Sequence, residues 1–171
     1  MKKLRNNQGI IIFLALALVV SMTAIFAGMR QMPTAPGGAV STGNISDWVQ
    51  RGNRAYDEGN FADAIHYYEH ALELNPNMVG VLVDLGTSYW YLNPPLPSKA
   101  IELYDQAIQL EPTFANAYFN KGVVLAYGLN KPEEAIQAWD KALTLNPPQQ
   151  LVDAINNKLM PEAKEKLSSL E

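Results

Sequence analysis

Two histidines, His66 and His70, are the residues whose type and spacing come nearest to a chemical site. Four residues apart on a helix, they would share one face, and such pairs hold zinc in many enzymes. Acidic residues stand nearby at Asp63, Glu69 and Glu73. However, the glutamate that follows the first histidine of the HExxH zinc motif is missing, and no third ligand is evident. We expect solvent-exposed histidines here and keep a metal site at His66 and His70 as the minor alternative.

Other kinds of chemistry find little support in the sequence. The 171 residues include no Cys, which excludes a thiolate metal site and a catalytic thiol. No glycine-rich phosphate loop occurs, and no serine is placed where a helical fold would bring it to a histidine and an acid. We therefore expect a protein that is not an enzyme and that uses no cofactor.

Charge is distributed unevenly along the chain, whose formal net charge is −4. Residues 1–30 carry four bases and no acid, whereas the remaining residues carry 9 bases and 17 acids. Nucleic-acid binding requires clustered Lys and Arg, so the acidic remainder predicts that nucleic acid is not a partner.

Residues 1–30 are predicted to be a signal-anchor, that is, one transmembrane helix that is not cleaved. Three bases precede an uncharged run over residues 10–29, and as a helix this run would span about 30 Å, the hydrocarbon thickness of a bilayer. A cleaved signal peptide is the alternative, but its apolar stretch is shorter and ends in a small-x-small site. The preceding bases predict a cytoplasmic N-terminus. Everything after Arg30 would then be extracytoplasmic, which in a bacterium means the periplasm or the outer face of the cell membrane.

Residues 31–44 are uncharged and rich in Pro, Gly, Ser and Thr. Because such a segment has little to bury, it cannot offset its ordering entropy. We expect a flexible linker that holds the following domain near the membrane.

An internal repeat over residues 45–148 is the strongest pattern in the sequence. An alanine, an aromatic residue four positions later and a proline twelve positions later occur three times, as Ala64, Tyr68 and Pro76, as Ala100, Tyr104 and Pro112, and as Ala135, Trp139 and Pro147. Apolar residues at helical spacing predict two helices in each repeat. The first helices are expected at 46–58, 78–92 and 114–127, with Ser46, Asn77 and Thr113 as N-caps, and the second at 61–74, 98–110 and 132–145.

The pattern resembles the tetratricopeptide repeat, a helix-turn-helix unit of 34 residues. The resemblance rests on Trp48 and Gly52 in repeat one (about 45–78), on Leu82, Leu85, Gly86 and Tyr89 in repeat two (about 79–114), and on Tyr118 and Gly122 in repeat three (about 115–148). Arg51 and Lys121 depart from it. The resemblance implies an all-α solenoid, in which the glycines lie where helix backbones approach closely. Residues 149–171 would form a C-terminal capping helix, with Leu151, Ile155 and Leu159 on its apolar face and a break at Pro161.

In this family the first helices line a concave groove that binds peptides or helices of partner proteins. The resemblance places nine residues of this chain in the groove: Asn53, Tyr56, Val83, Thr87, Trp90, Tyr91, Phe119, Val123 and Tyr127. Family members that bind chaperone tails clamp a terminal carboxylate with Lys, Asn and Arg. Here only Asn53 matches that clamp, since Val83, Phe119 and Val123 replace its other members. We therefore do not expect a receptor for carboxylate tails.

Together these features predict a non-enzymatic, membrane-tethered adaptor or scaffold of the cell envelope, such as an assembly factor, that binds a partner protein through its groove. The alternative is a self-associating scaffold, in which another copy of the chain fills the groove.

Overall fold

The computed structural model describes residues 44–169, which form helices joined by short turns. Three helix pairs are followed by a C-terminal segment that contains one π-helical turn. The elements are α1 Ile45–Asp57, α2 Phe61–Leu74, α3 Val79–Tyr91, α4 Pro97–Leu110, α5 Ala115–Tyr127, α6 Pro132–Leu143, α7 Gln149–Ala154, the π turn Ile155–Leu159 and α8 Met160–Ser168. Residues 44–169 contain no strand. The prediction of an all-α fold of three helix pairs is confirmed, and each predicted helix end lies within two residues of the observed one.

The predicted transmembrane segment and all but the last residue of the predicted linker lie outside the described residues. Among the helices of residues 44–169, none is both long enough and apolar enough to cross a membrane.

Each helix packs against its neighbour along the chain. Contacts join the two helices of every pair, and they also join α2 to α3 and α4 to α5. Alanines allow this close packing, since two in each second helix are 0% exposed: Ala64, Ala71, Ala100, Ala107, Ala135 and Ala142. Because α3 also contacts α5, these two first helices lie side by side and form one wall.

In each pair, a glycine of the first helix faces an aromatic ring from the second. A Cβ atom at Gly52 would lie 2.5 Å from the ring of Tyr68. In the third pair, a Cβ atom at Gly122 would lie 2.6 Å from Cδ1 of the Trp139 indole. The sequence predicted close approach of two backbones at these positions, whereas the structure shows that these glycines make room for a large, fully buried ring.

The predicted N-caps of the first helices are wrong. Asn44 caps α1, and its side-chain oxygen accepts a hydrogen bond of 3.4 Å from the backbone N–H of Ser46. In place of Asn77 and Thr113, the N-cap positions of α3 and α5 hold Met78 and Phe114, which have no capping side-chain hydrogen bond. Both pack against the hydrophobic core, so packing rather than capping chemistry determines where these helices begin.

The C-terminal segment does not break at Pro161 as predicted. The chain turns through the π-helical residues Ile155–Leu159 and continues directly into α8, where Pro161 occupies the first turn. Proline has no N–H to donate and its ring clashes with the carbonyl four residues earlier, so the wider turn lets the helix continue. Ile155 is 0% exposed and, with Leu159, joins the core cluster around Trp139.

Shortening Ile155 tests the packing of this segment. We expect Ile155→Val to lower the free energy of unfolding by about 0.5–1.5 kcal/mol, because it removes one buried methylene from a filled site. Urea unfolding followed by circular dichroism measures this. The control Lys164→Ala alters an exposed residue of α8 and should shift stability by less than about 0.5 kcal/mol; equal effects of the two substitutions would show that Ile155 is not packed as described.

Candidate partner-binding groove

The wall formed by α3 and α5 borders a cavity of about 290 Å³. Five of the nine residues predicted for the groove line this cavity: Thr87, Trp90, Tyr91, Phe119 and Val123. Tyr91 is 53% exposed, and the other four are half-buried. The cavity therefore has a largely apolar and aromatic lining.

The C-terminal segment forms the remaining side of this cavity. The sequence did not predict this role for the segment. Ala154, Lys158 and Leu159 line it opposite the aromatic residues. The apolar spacing that includes Leu159 predicted only that this segment would cover the last helix pair. In the structure, residues of the C-terminal segment also lie along the groove. The cavity between this segment and the wall of α3 and α5 remains open.

A second cavity, of about 500 Å³, lies at the N-terminal end of the groove. Asn53 of the predicted set lines it together with Ile45, Val49 and Met78. These three apolar side chains make this end of the groove suitable for an apolar group of a ligand.

A row of aromatic rings lies between α1 and α3. Tyr56, from the predicted set, contacts Phe61 edge to face, with ring centroids 5.5 Å apart. Phe61 in turn stacks on Tyr91 at 5.3 Å. Phe61 was not predicted, because it is the first residue of a second helix and the family pattern draws the groove from first helices.

Two of the predicted residues are placed differently from the other seven. Val83 is 5% exposed and belongs to the core, so it cannot contact a ligand directly in this structure. Tyr127 is 48% exposed, and its hydroxyl donates a hydrogen bond to the carboxylate of Glu162 in α8. Tyr127 thus joins α5 to the C-terminal segment while its ring remains accessible.

Hydroxyl groups from the second helices reach the groove through the wall of first helices. The Tyr68 hydroxyl donates to Oδ1 of Asn53 at 2.9 Å. The Tyr104 hydroxyl lies 3.2 Å from Oγ1 of Thr87, which itself donates to the Val83 carbonyl at 2.8 Å. Tyr104 is 1% exposed and belongs to the core, and it also lines the cavity. Burial raises the pKa of both tyrosines, with a smaller contribution from the charge of Asp84.

Asp84 is the groove residue that sequence reasoning missed. It precedes Thr87 by three residues and Tyr91 by seven, so the three share one face of α3. Water reaches its side chain, but the surrounding protein of a concave surface desolvates the carboxyl and raises its pKa. Among residues 44–169 no side chain forms an ion pair or hydrogen bond with this carboxylate.

The three bases of the first helices, Arg51, Arg54 and Lys121, line neither groove cavity. Arg51 pairs with Asp47 at 2.9 Å, and Lys121 pairs with Asp105 at 2.5 Å. Lys158 is the one base that lines either groove cavity within the described residues. The first helices thus bring no Lys or Arg to either groove cavity that could clamp a carboxylate.

The histidine pair lies on α2, away from both groove cavities. The His66 and His70 rings are 4.6 Å apart between centroids, and Nδ1 of His70 lies 3.0 Å from the Glu73 carboxylate. Trp48 packs against His70 with ring centroids 4.8 Å apart. Residues 44–169 bring together no group of three or more side chains of the kinds that bind metal ions.

The tyrosines predict a loss of stability at alkaline pH. Burial, together with a hydrogen bond to Glu69, raises the pKa of Tyr89 to about 12, whereas unfolded tyrosines ionise near pH 10. Because the folded state disfavours tyrosinate, stability should fall as pH rises from about 10 to about 12. Urea unfolding across this range measures the fall. Tyr89→Phe should make it shallower, and an unchanged profile would contradict the assignment.

Comparisons with known proteins agree with the helix-pair fold. Family models for the tetratricopeptide repeat match residues 46–78 and 115–149, and a model for the TPR repeat matches residues 98–126. The first TPR of Spaghetti (RPAP3), solved with the HSP90 peptide SRMEEVD bound, superposes with a TM-score of 0.61 at 21% identity, covering 74% of this chain and 92% of that one.

Two curated relatives align over the same region. The small glutamine-rich tetratricopeptide repeat-containing protein 2 of Mycosarcoma maydis is 28% identical over 69% of this chain and 32% of its own length. The photosystem I assembly protein Ycf3 of Acaryochloris marina is 30% identical over 53% of this chain and 55% of its own length. This chain thus spans about a third of one relative and about half of the other. This chain thus contains tetratricopeptide repeats, which the family models match over residues 46–78 and 98–149, and its helix pairs share the fold of a solved tetratricopeptide repeat domain.

Proposed function

We propose that this chain is a membrane-tethered adaptor without catalytic activity, and that its groove binds a segment of a partner protein. The observation that carries the proposal is the lining of the 290 Å³ cavity, where Trp90, Phe119 and the 53% exposed Tyr91 face one another across α3 and α5. Aromatic side chains in such clefts are the usual anchors of protein interfaces, because they bury a large area and lose little conformational entropy.

The relatives support the same kind of role. The RPAP3 domain was solved with a peptide bound to it, and Ycf3 is named as an assembly protein of photosystem I. An adaptor that holds one component near the membrane during assembly fits both the groove of this chain and its apolar N-terminal run.

Membrane tethering rests on the sequence of residues 1–30. Three bases followed by twenty uncharged residues favour a signal-anchor with the repeats outside the cytoplasm. A reporter enzyme that is active only outside the cytoplasm, fused after Glu171, should be active in cells. A silent reporter that is nonetheless expressed would reverse the proposed topology.

Photo-crosslinking in cells tests the adaptor itself. A photoreactive phenylalanine analogue in place of Tyr91 should crosslink to a different protein, because position 91 lies in the groove. The control position is Leu74, which is 56% exposed at the end of α2 and lines neither groove cavity; it should not give the same product. Crosslinks from position 91 solely to another copy of this chain would instead support the self-associating scaffold.

A further inference from the structure

We propose that the groove binds a peptide segment with a basic side chain flanked by apolar residues on both sides, and that Asp84 pairs with the basic side chain. This inference rests on the proposed function, because it specifies the chemistry of the partner segment.

Asp84 lies on α3 between two apolar sites. On one side lies the cavity lined by Ile45, Val49 and Met78, and on the other lies the cavity lined by Trp90 and Phe119. The hydroxyl of Tyr68 bonds to Asn53, which lines the first cavity. The hydroxyl of Tyr104 bonds to Thr87, which lines the second. Along α3, Asp84 stands six residues after Met78, which lines the first cavity, and seven residues before Tyr91, which lines the second.

The carboxylate of Asp84 also lacks a partner in the described part of the chain. Five acids of residues 44–169 form ion pairs with bases or with His70, and Asp84 is not among them. A carboxylate that is partly desolvated and unpaired is stabilised by an incoming cation more than a fully solvated one, since the desolvation is already present before binding.

Aromatic rings near Asp84 favour the same kind of ligand. Tyr91 follows Asp84 by two helical turns on the same face of α3, and Phe61 stacks on Tyr91 with ring centroids 5.3 Å apart. A guanidinium or ammonium group can pair with a carboxylate while it contacts the face of a tyrosine ring. An arginine meets both requirements best, because its planar head group can bond and stack at once.

An acidic ligand would be repelled by the charge of Asp84. The HSP90 peptide SRMEEVD, which the RPAP3 domain binds, would bring its carboxylates toward Asp84. Lys158 offers the single positive charge at the groove among the described residues, and it lies at the far cavity. The charge of the groove thus favours a basic segment over an acidic tail.

Selection from a library of random dodecapeptides tests this inference. The full chain in mild detergent is used as bait, both as the wild type and as Asp84→Asn. Peptides selected by the wild type should share an Arg or Lys with apolar residues on each side. Replacing that base by Gln in a selected peptide should weaken binding to the wild type roughly tenfold and leave binding to Asp84→Asn almost unchanged. SRMEEVD should bind the wild type at least about tenfold more weakly than the selected peptides.

Matched variants separate the possible outcomes. Asp140→Asn removes an exposed acid of α6 that lines neither groove cavity, so it should bind like the wild type. Asp84→Asn should unfold at the same or a higher urea concentration, because the folded state disfavours the charge of Asp84. If the selected peptides require Tyr91 but share no base, this inference is overturned while the proposed function stands. The same holds if replacing the base by Gln weakens binding to the wild type and to Asp84→Asn equally. If no selected peptide requires Tyr91, the proposed function fails as well.

The chain itself contains a competing occupant. Arg30 precedes the predicted linker and lies outside the described residues. If this residue occupied the site, Arg30→Gln would strengthen peptide binding. We expect no change, and a gain in affinity would overturn the proposal that a partner segment is the ligand.

Discussion

Gly122→Ala is expected to lower the free energy of unfolding by about 1–3 kcal/mol, although alanine is the better helix former. The added methyl group would lie 2.6 Å from Cδ1 and 2.7 Å from Cε2 of Trp139. That indole is 0% exposed and its Nε1 donates to the Phe119 carbonyl at 3.1 Å, so it cannot move aside without losing a hydrogen bond and its packing. Urea unfolding of the full chain measures the loss.

Gly80→Ala is the control, and it is expected to change the free energy of unfolding in the opposite direction. Gly80 also lies in a first helix, but no atom stands within 4 Å of a Cβ placed there. We expect this substitution to stabilise the chain by about 0.5–1 kcal/mol through helix propensity. If both substitutions stabilised the protein, the third helix pair would not be packed as described.

Tyr91→Ala is expected to weaken binding of the crosslinked partner by at least about tenfold, a value typical of an aromatic anchor at the centre of an interface. Tyr91 is the better test than Trp90, because Trp90 also packs against Gly128 and the core, and its removal would affect folding. The side chain of Tyr91 stacks on Phe61 and is otherwise open to solvent. Affinity for the purified partner, measured by calorimetry, gives the result.

Tyr118→Ala serves as the matched control for Tyr91→Ala. Tyr118 also lies on a first helix, but it lines a different cavity and its hydroxyl bonds to the Pro112 carbonyl at 3.3 Å. Its removal should leave partner affinity nearly unchanged. Equal losses from both variants, with stability preserved, would mean that the groove is not the binding surface.

The helices could be predicted from the sequence because their spacing repeats three times. Each repeat has one alanine twelve residues before its proline, namely Ala64, Ala100 or Ala135. This regularity reflects surfaces that must stack in register. The ends of the helices were harder to predict. Met78 and Phe114 start their helices because of tertiary packing, which local capping rules do not describe.

The groove could be predicted only in part. The family pattern assigns inward-facing positions by their place in the first helices, and it therefore found Trp90 and Tyr91. It also included Val83, whose burial depends on how tightly α3 packs against its neighbours. It missed Asp84, because the significance of that acid arises from the hydroxyls and cavities that other helices bring to it.

The structure of the full chain in complex with its crosslinked partner segment would show whether the partner occupies the groove. The account predicts that the segment lies along α3 and α5, contacts Tyr91 and Phe119, and extends toward Asn53 past the carboxylate of Asp84. A segment bound against the second helices, or a cavity occupied by this chain's own residues with the partner elsewhere, would contradict it.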